Sequence, residues 1–270
     1  MSNNYLILNE LVGINFSFAL LDGFKKTLLR DTDLALSWKI TDTLHADSCY
    51  GIQYIAQPSM ITTKQMFFSQ KDKTHFLYPE TEDYSKLCLT YDGTFQEDVA
   101  LELFAAGFYS YMSKKQTLLV HASAVKYEDQ GIVFTAASGV GKTTQAELWA
   151  KYKNSTILNG DKVFLKQEED GIHAWGSPWK GSSPYARNES AKLRAIVVLE
   201  QAEENSIRKL SVMESMQYFV PHIFFPCWDE ECEQAVLTFL DKVLEETEIY
   251  LLKCRPDEAA VELLAAALKE

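Results

Sequence analysis

The chain has little of what marks membrane, secreted or metal-cluster proteins. In its 270 residues, no window holds the roughly 18 or more apolar residues that a membrane-spanning helix needs. The first residues lack the basic and apolar regions of a signal peptide. The five cysteines are scattered, with no CxxC pair and no histidines at ligand spacing. We therefore expect a cytoplasmic protein without membrane contact, zinc site or disulfide framework.

Basic charge is also scarce. Lys and Arg number 26 against 38 Asp and Glu, so the formal net charge is −12. Because phosphate backbones attract basic surfaces, this balance argues against a nucleic-acid partner. It leaves room for a nucleotide ligand, which a few local donors and a cation can hold. Much of the acid lies in two helical stretches, Asp229–Glu248 and Asp257–Glu270, which we interpret as solvated helix faces.

The character of the sequence changes near residue 96, although no Pro- or Gly-rich linker marks the place. Before it, short β-prone runs alternate with polar turns, as in Leu34–Ile40, Gly51–Ala56, Gln65–Ser69 and Leu87–Tyr91. We therefore expect a β-rich N-terminal region over residues 1–96 and a second domain over residues 97–270.

Strands and helices interleave after residue 96. Apolar spacing predicts a helix over Glu97–Tyr111 and another over Lys142–Lys153. The β-prone runs around them are Thr117–Val125, Gly131–Thr135, Thr156–Leu158, Val163–Lys166 and Leu193–Glu200. The chain closes with two helices around the extended run Glu248–Cys254. This alternation predicts an α/β fold.

A glycine-rich segment joins one of these strands to its helix. It contains Ala136-Ala137-Ser138-Gly139-Val140-Gly141-Lys142-Thr143-Thr144, which is close to the GxxxxGK[ST] pattern of a phosphate-binding P-loop. Glycines let the backbone turn its N–H groups toward an anion, and the start of a helix adds further N–H groups and a positive dipole end. We expect residues 137–144 to bind a nucleoside triphosphate, with Lys142 on the β- and γ-phosphates and Thr143 on Mg²⁺.

One position departs from the pattern, since Ala136 stands where the first glycine is usual. A methyl group is tolerated there if φ is negative, because only positive φ strongly penalises a Cβ. The alternative interpretation of the segment is a turn that binds no ligand.

Two further residues are candidates for the chemistry. Asp161 follows the run Thr156–Leu158 and comes nineteen residues after Lys142. Its carboxylate suits a metal ligand or the base that accepts a hydroxyl proton, and a simple turn at Gly160-Asp161 is the alternative. His121 lies in an apolar strand, where a histidine is either a site residue or a hydrogen-bonded core residue.

At these residues the sequence resembles the HPr kinase/phosphorylase family and its relatives, which include the ATP-dependent phosphoenolpyruvate carboxykinases. In that family a His-Gly-x-x-Val strand precedes a GxSGxGKS loop, and a later strand ends in two aspartates. The matching segments here are His121-Ala122-Ser123-Ala124-Val125, Ser138-Gly139-Val140-Gly141-Lys142-Thr143 and Asn159-Gly160-Asp161-Lys162-Val163. The resemblance covers about residues 117–166. It implies an HPr-kinase-like C-terminal domain that uses ATP and Mg²⁺ to phosphorylate a hydroxyl of a peptide, protein or small molecule.

The resemblance also implies roles for single residues. Asp161 would be general base or metal ligand, His121 would lie near the γ-phosphate, and the protein would form a homo-oligomer. Gly160 replaces the first aspartate, so dephosphorylation is not expected. The segment Trp175–Gly181 replaces the arginine- and glycine-containing signature of HPr kinases. It can form an acceptor-binding loop in which Lys180 meets an anion, and the alternative is that its tryptophans pack in the core. Arg187 and Arg194 are candidates for neutralising the transferred charge.

Two other functions stay open. A phosphoenolpyruvate carboxykinase would use the same loop, but those enzymes are much longer and need further basic and metal-ligating motifs. A non-catalytic nucleotide-binding regulatory protein would also use this loop, with residues 1–95 contacting a partner. We interpret His173 and His222 as structural.

Overall fold

A computed structural model describes residues 3–26, 34–41, 54–55, 57–58, 66–70 and 73–269. The chain divides into two compact units, Met1–Lys115 with Phe225–Val236 and Gln116–Phe224 with Leu237–Glu270. Each unit has its own sheet. The predicted α/β character of the fold is confirmed. Among the helices of the described residues, none combines the length and apolar character that crossing a bilayer requires.

The first unit is built on a sheet with a helix against it. In chain order its described elements are β1 (Asn3–Ile7), β2 (Glu10–Ile14), β3 (Leu36–Thr41), β4 (Tyr54–Ile55), β5 (Gln57–Pro58), β6 (Met66–Gln70), β7 (Lys73–Pro79), β8 (Lys86–Asp92) and α1 (Glu97–Ser113), with a 3-10 helix at Ala19–Phe24. The spatial order of the strands is β1-β2-β3-β8-β7-β6-β4-β5. Strands β3, β6 and β8 fall on predicted strands. Of the predicted strand Gly51–Ala56, only residues 54 and 55 belong to the described residues.

Helix α1 packs on this sheet through its apolar face. Phe104 stacks on Trp38 of β3, with ring centroids 4.7 Å apart and planes at 5°. Gly107 comes so close to the sheet that a Cβ there would stand 2.6 Å from the Leu87 side chain. The compact units therefore divide after Lys115, whereas the character of the sequence changes near residue 96.

The second unit is an α/β assembly. Its described elements are β9 (Thr117–Tyr127), β10 (Gln130–Thr135), α2 (Lys142–Lys153), β11 (Thr156–Asn159), β12 (Lys162–Glu168), β13 (Gly171–Trp175), β14 (Ser190–Gln201), β15 (Ser206–Lys209), α3 (Val212–Phe219), β16 (Ile223–Phe224), α4 (Glu230–Glu246), β17 (Glu248–Cys254) and α5 (Glu258–Ala267); α4 begins within Phe225–Val236. The strands follow the order β10-β9-β12-β13-β14-β17-β15, with β11 and β16 paired to β9.

Parallel pairing positions the loop that follows β10. Strand β14 pairs in parallel with both β10 and β17, so the carboxyl ends of these three strands meet at one edge. Apolar side chains of α2 and α5 cover them, and this core includes Phe134, Trp149, Val197, Leu252 and Leu264. The loop from β10 into α2 therefore starts from a rigid, fully packed base.

Residues Phe225–Val236 are fixed in the first unit by buried polar contacts. Asp229 precedes α4, and its Oδ1 accepts from two backbone N–H groups of the first turn, at 3.0 and 3.3 Å. Its Oδ2 accepts from the Tyr84 hydroxyl at 2.8 Å. The Trp228 indole donates to Ser110 on α1 at 2.8 Å. Burial and the bond to Asp229 raise the pKa of Tyr84.

Candidate functional site

The glycine-rich loop spans residues 136–141 between β10 and α2. Gly139 has φ +80° and Gly141 has φ +122°, which a residue with a Cβ rarely adopts. Ala136 is not among the described non-glycine residues with positive φ, and at 1% exposure its methyl group packs in the core. A methyl group is therefore tolerated at the first loop position, because φ there is not positive.

Lys142 opens α2 and turns its amine back over the loop. The side chain is buried at 7% exposure, and Nζ donates to the carbonyl oxygens of Ala136 at 3.0 Å and Ala137 at 3.3 Å. Burial lowers the pKa of this amine, and nearby Asp161 acts in the opposite direction. The Ser123 hydroxyl on β9 donates to the Lys142 carbonyl at 2.7 Å, so β9 holds the start of the helix in place.

Thr143, at the start of α2, contacts the residue that precedes Asp161. The Thr143 hydroxyl donates to the Gly160 carbonyl at 3.2 Å, directly before Asp161 in the chain. On the other side, His121 Nδ1 lies 3.3 Å from Asp161 Oδ1. Burial raises the pKa of Asp161, but the hydrogen bond to His121 and the nearby charges, including those of His121 and Lys162, outweigh it and lower the pKa overall.

Asn159 positions the Asp161 backbone, a role that sequence reasoning missed. Its side chain is buried, and Oδ1 accepts from the backbone N–H groups of Asp161 at 2.7 Å and Lys162 at 2.9 Å. Its Nδ2 donates to the Ser177 carbonyl at 2.7 Å. An asparagine that bonds to the backbone two residues on is a common turn-former. The sequence Asn159-Gly160-Asp161 could therefore have predicted this turn.

The backbone at Gly160 leaves no free space for a Cβ. A Cβ on Gly160 would stand 2.0 Å from the Ser183 hydroxyl oxygen and 2.5 Å from its Cβ. Ser183 is itself buried, and its hydroxyl accepts from the Tyr185 N–H at 3.1 Å. A serine hydroxyl therefore fills the space into which a second carboxylate would project.

The segment Trp175–Gly181 lies against the site through its backbone. Gly181 has φ +56°, and a Cβ there would stand 2.8 Å from the Asp161 carboxyl carbon. The two tryptophans are buried, and Trp175 donates to Glu168 at 3.0 Å. They pack in the interior of the unit, so an acceptor surface at this segment would have to use its other residues.

Of the two candidate arginines, Arg194 lies away from this group, and the Arg187 side chain pairs with a neighbouring carboxylate. Arg194 forms an ion pair with Glu248 and donates to the Leu268 carbonyl at 2.7 Å. It lies near the amino end of β14, and β14 runs parallel to β10, so it is at the edge away from the loop. Arg187 pairs with Glu189 at 3.6 Å, and both are about half exposed.

The oxygen ligands at the start of α2 suit Mg²⁺. In the described part of the chain, no group of three or more His, Cys, Asp or Glu side chains is placed to hold a metal. Mg²⁺ is usually bound through one or two carboxylates together with substrate phosphates, so such a group is not needed. The Thr143 hydroxyl and the Asp161 carboxylate are the donors that this chemistry requires.

Comparisons with known proteins leave the family open. No protein-family profile matches the chain, and no curated protein matches it. Among solved structures it is similar to the Hpr(Ser) kinase/phosphatase from Coxiella burnetii, at 11% identity and a TM-score of 0.35 over 56% of this chain and 95% of that chain. A likeness at this level carries no argument about function, which must rest on the site.

Proposed function

We propose that the chain is an ATP- and Mg²⁺-dependent kinase that transfers the γ-phosphate to a hydroxyl of a peptide, protein or small molecule. One observation carries the proposal: the hydroxyl of Thr143 bonds to the carbonyl of Gly160, so the start of α2 meets the backbone that leads into Asp161. A phosphate-binding loop with a carboxylate nearby is part of the arrangement that phosphoryl transfer uses.

Each residue has a role that follows from its chemistry. The backbone N–H groups of residues 137–144 and the Lys142 amine would hold the phosphates. Thr143 and Asp161 would hold Mg²⁺, which when bound neutralises charge on the β- and γ-phosphate oxygens. The bond between His121 and Asp161 would orient the carboxylate.

The transfer step balances with these groups alone. Asp161 accepts the proton of the acceptor hydroxyl, the hydroxyl oxygen forms a bond to the γ-phosphorus, and the bond from that phosphorus to the bridging oxygen breaks. The groups that lower the pKa of Asp161 favour its ionised form, which is the form that binds Mg²⁺ and can accept a proton, and they also weaken it as a base. ADP leaves with the bridging oxygen.

A non-catalytic nucleotide-binding protein is the second candidate. The observation that favours it is the contact of Ser183 with Gly160, which leaves the site with Asp161 where the family has two adjacent carboxylates. Such a protein would bind the nucleotide through the same loop and transfer nothing.

The test is transfer of labelled γ-phosphate from ATP with Mg²⁺ in the presence of cell extract. The proteins compared are wild type, Lys142→Ala, Asp161→Asn and the control Asp170→Asn. Asp170 is matched to Asp161 because it also contacts a histidine, His173, at 2.8 Å. Nucleotide binding is measured on the same samples.

We expect wild type and Asp170→Asn to label an acceptor equally. Asp161→Asn should bind nucleotide but transfer about 100-fold more slowly or less, since a general base contributes roughly that much or more, and Lys142→Ala should lose binding. If wild type binds ATP tightly and labels nothing, the regulatory function is the better account. If wild type does not bind nucleotide, both functions are wrong.

A further inference from the structure

His222 lies beside the candidate site, although nothing in its sequence context indicates this. It ends the short 3-10 helix Val220–His222 and leads into β16. Strand β16 pairs antiparallel with β9, with Ile223 opposite Val120 and Phe224 opposite Leu119. One further step along this register brings His222 opposite His121. Lys162 faces His121 from the other neighbour, β12.

An aromatic contact fixes this corner of the sheet. The ring of Phe224 meets the ring of His121 edge to face, with centroids 6.4 Å apart and planes at 84°. Phe224 is 38% exposed, so the corner is open to solvent. His222 directly precedes β16, so the strand register and the ring contact both hold it close to His121.

The charges around His222 agree with this position. Burial lowers the pKa of His222, and the charges of Lys142 and His121 lower it further. Lys142 carries the amine on the glycine-rich loop, and His121 contacts Asp161. Both of them belong to the candidate site, so His222 lies close to it.

Positive charge is in excess at this place. The charges that act on Asp161 come from His121, Lys162 and Lys142, and His222 adds a further imidazole. Two lysines and His121 thus act on one carboxylate, and His222 lies next to His121. Such a concentration of cationic and N–H groups suits a dense anion, as in phosphoryl-transfer sites.

We propose that His222 donates an N–H to the terminal phosphate of the bound nucleoside triphosphate and so favours the triphosphate over the diphosphate. The inference rests on the proposed nucleotide-binding function of the loop. Lys142 would reach both the β- and the γ-phosphate, whereas His222, next to His121, would meet the γ-phosphate alone.

The test compares the affinities for ATP and ADP, both with Mg²⁺, of wild type, His222→Ala, His222→Gln and His173→Ala. His173 is the matched control because it is a half-buried histidine of the same unit whose contacts are with Asp170 at 2.8 Å and Ser190 at 3.4 Å. Circular dichroism and the thermal unfolding midpoint show whether each variant is folded. Gln keeps an N–H donor in about the same place.

We expect His222→Ala to bind ATP about tenfold more weakly, the size of one hydrogen bond to a charged group, and to bind ADP as wild type does. His222→Gln should recover part of the loss, and His173→Ala should change neither affinity. Equal ATP affinity in wild type and His222→Ala would overturn the role of His222 alone, as would an equal loss of ATP and ADP affinity. Absence of nucleotide binding by wild type would overturn this inference together with the proposed function.

Discussion

Gly160 and Gly181 bring the backbone to within side-chain distance of Ser183 and Asp161. At Gly160 the space for a Cβ is taken by Ser183, and at Gly181 it is taken by the Asp161 carboxylate. Both glycines therefore determine where Asp161 lies, although neither carries a functional group. Replacing either glycine by alanine should therefore disturb the site, although it adds only one methyl group.

The first prediction concerns Gly160. Gly160→Ala should lower the free energy of unfolding by about 1–3 kcal/mol, because the added methyl group overlaps the Ser183 side chain. The double variant Gly160→Ala with Ser183→Gly should recover much of the loss. Denaturant unfolding measures both, with Gly23→Ala as control, since nothing lies within 4 Å of a Cβ at Gly23. A Gly160→Ala protein as stable as Gly23→Ala would contradict the prediction.

The sequence predicts part of this site and misses the rest for a physical reason. The loop residues, Asp161 and His121 have chemistry that spacing along the chain reveals. Ser183 lies beside Gly160, and His222 next to His121, only through the fold, and Asn159 combines a local turn with a bond to Ser177. An ordinary polar residue becomes part of a site only through the fold that surrounds it.

At the scale of elements, the long periodic segments are predicted, whereas of the short ones only some are, such as β6 and β11. Helix α2 and strand β17 have the predicted bounds, and α1 extends the predicted helix by two residues. Strands β13, β15 and β16 and helix α3 are not predicted. A strand of two to five residues has too few side chains for a period, and its partners decide its conformation.

A pH-dependent cluster of ion pairs joins β14, β15 and β17. Glu248 on β17 accepts from Lys209 and pairs with Arg194, and these bonds lower its pKa from 4.5 to about 2. Glu248→Gln should therefore lose about 1 kcal/mol of stability at pH 7, the upper range for a partly exposed pair. The loss should shrink as the pH falls from about 4.5 to about 2, because wild type loses the same contribution when the carboxylate is protonated.

The measurement is urea unfolding of both proteins at several pH values. Glu200→Gln is the control, since Glu200 pairs with Lys253 at 2.9 Å on a more exposed surface. A difference between wild type and Glu248→Gln that stays constant from pH 7 to pH 2.5 would contradict the prediction.

The contact of Tyr84 with Asp229 attaches residues 225–236 to the first unit. Tyr84→Phe should reduce the free energy of unfolding by about 1–3 kcal/mol, because a buried carboxylate oxygen loses a donor. Tyr185→Phe is the matched control, since its hydroxyl bonds to Glu147 at 3.1 Å at an exposed position. Thermal unfolding monitored by circular dichroism measures both. Equal midpoints for the two variants would show that the buried bond contributes nothing beyond the exposed one.

At the scale of the whole molecule, the chain enters the first unit twice and the second unit twice. No single cut separates the units. A cut near residue 96 would also strip α1 of the sheet on which its buried residues Phe104, Phe108 and Met112 pack.

A fragment of residues 97–270 should therefore aggregate. Exposing each of those large apolar side chains costs about 1.5–3 kcal/mol, and residues 225–236 lose Tyr84 as well. Size-exclusion chromatography and thermal unfolding test this, and co-expression with residues 1–96 should restore a soluble complex. A monomeric fragment that melts cooperatively near the full chain's midpoint would contradict the prediction.

The methyl group of Ala136 has a consequence for how glycine-rich loops of this kind are recognised in sequences. It lies in the core, at a position whose φ is not positive, so the backbone there makes no demand that only glycine can meet. Gly139 and Gly141 do meet such a demand. A search pattern written in residue letters rejects this chain at its first position, whereas one written in backbone conformations, with glycine required only where φ is positive, accepts it. Other chains with a small apolar residue at that first position are then hidden for the same reason and can be recovered in the same way.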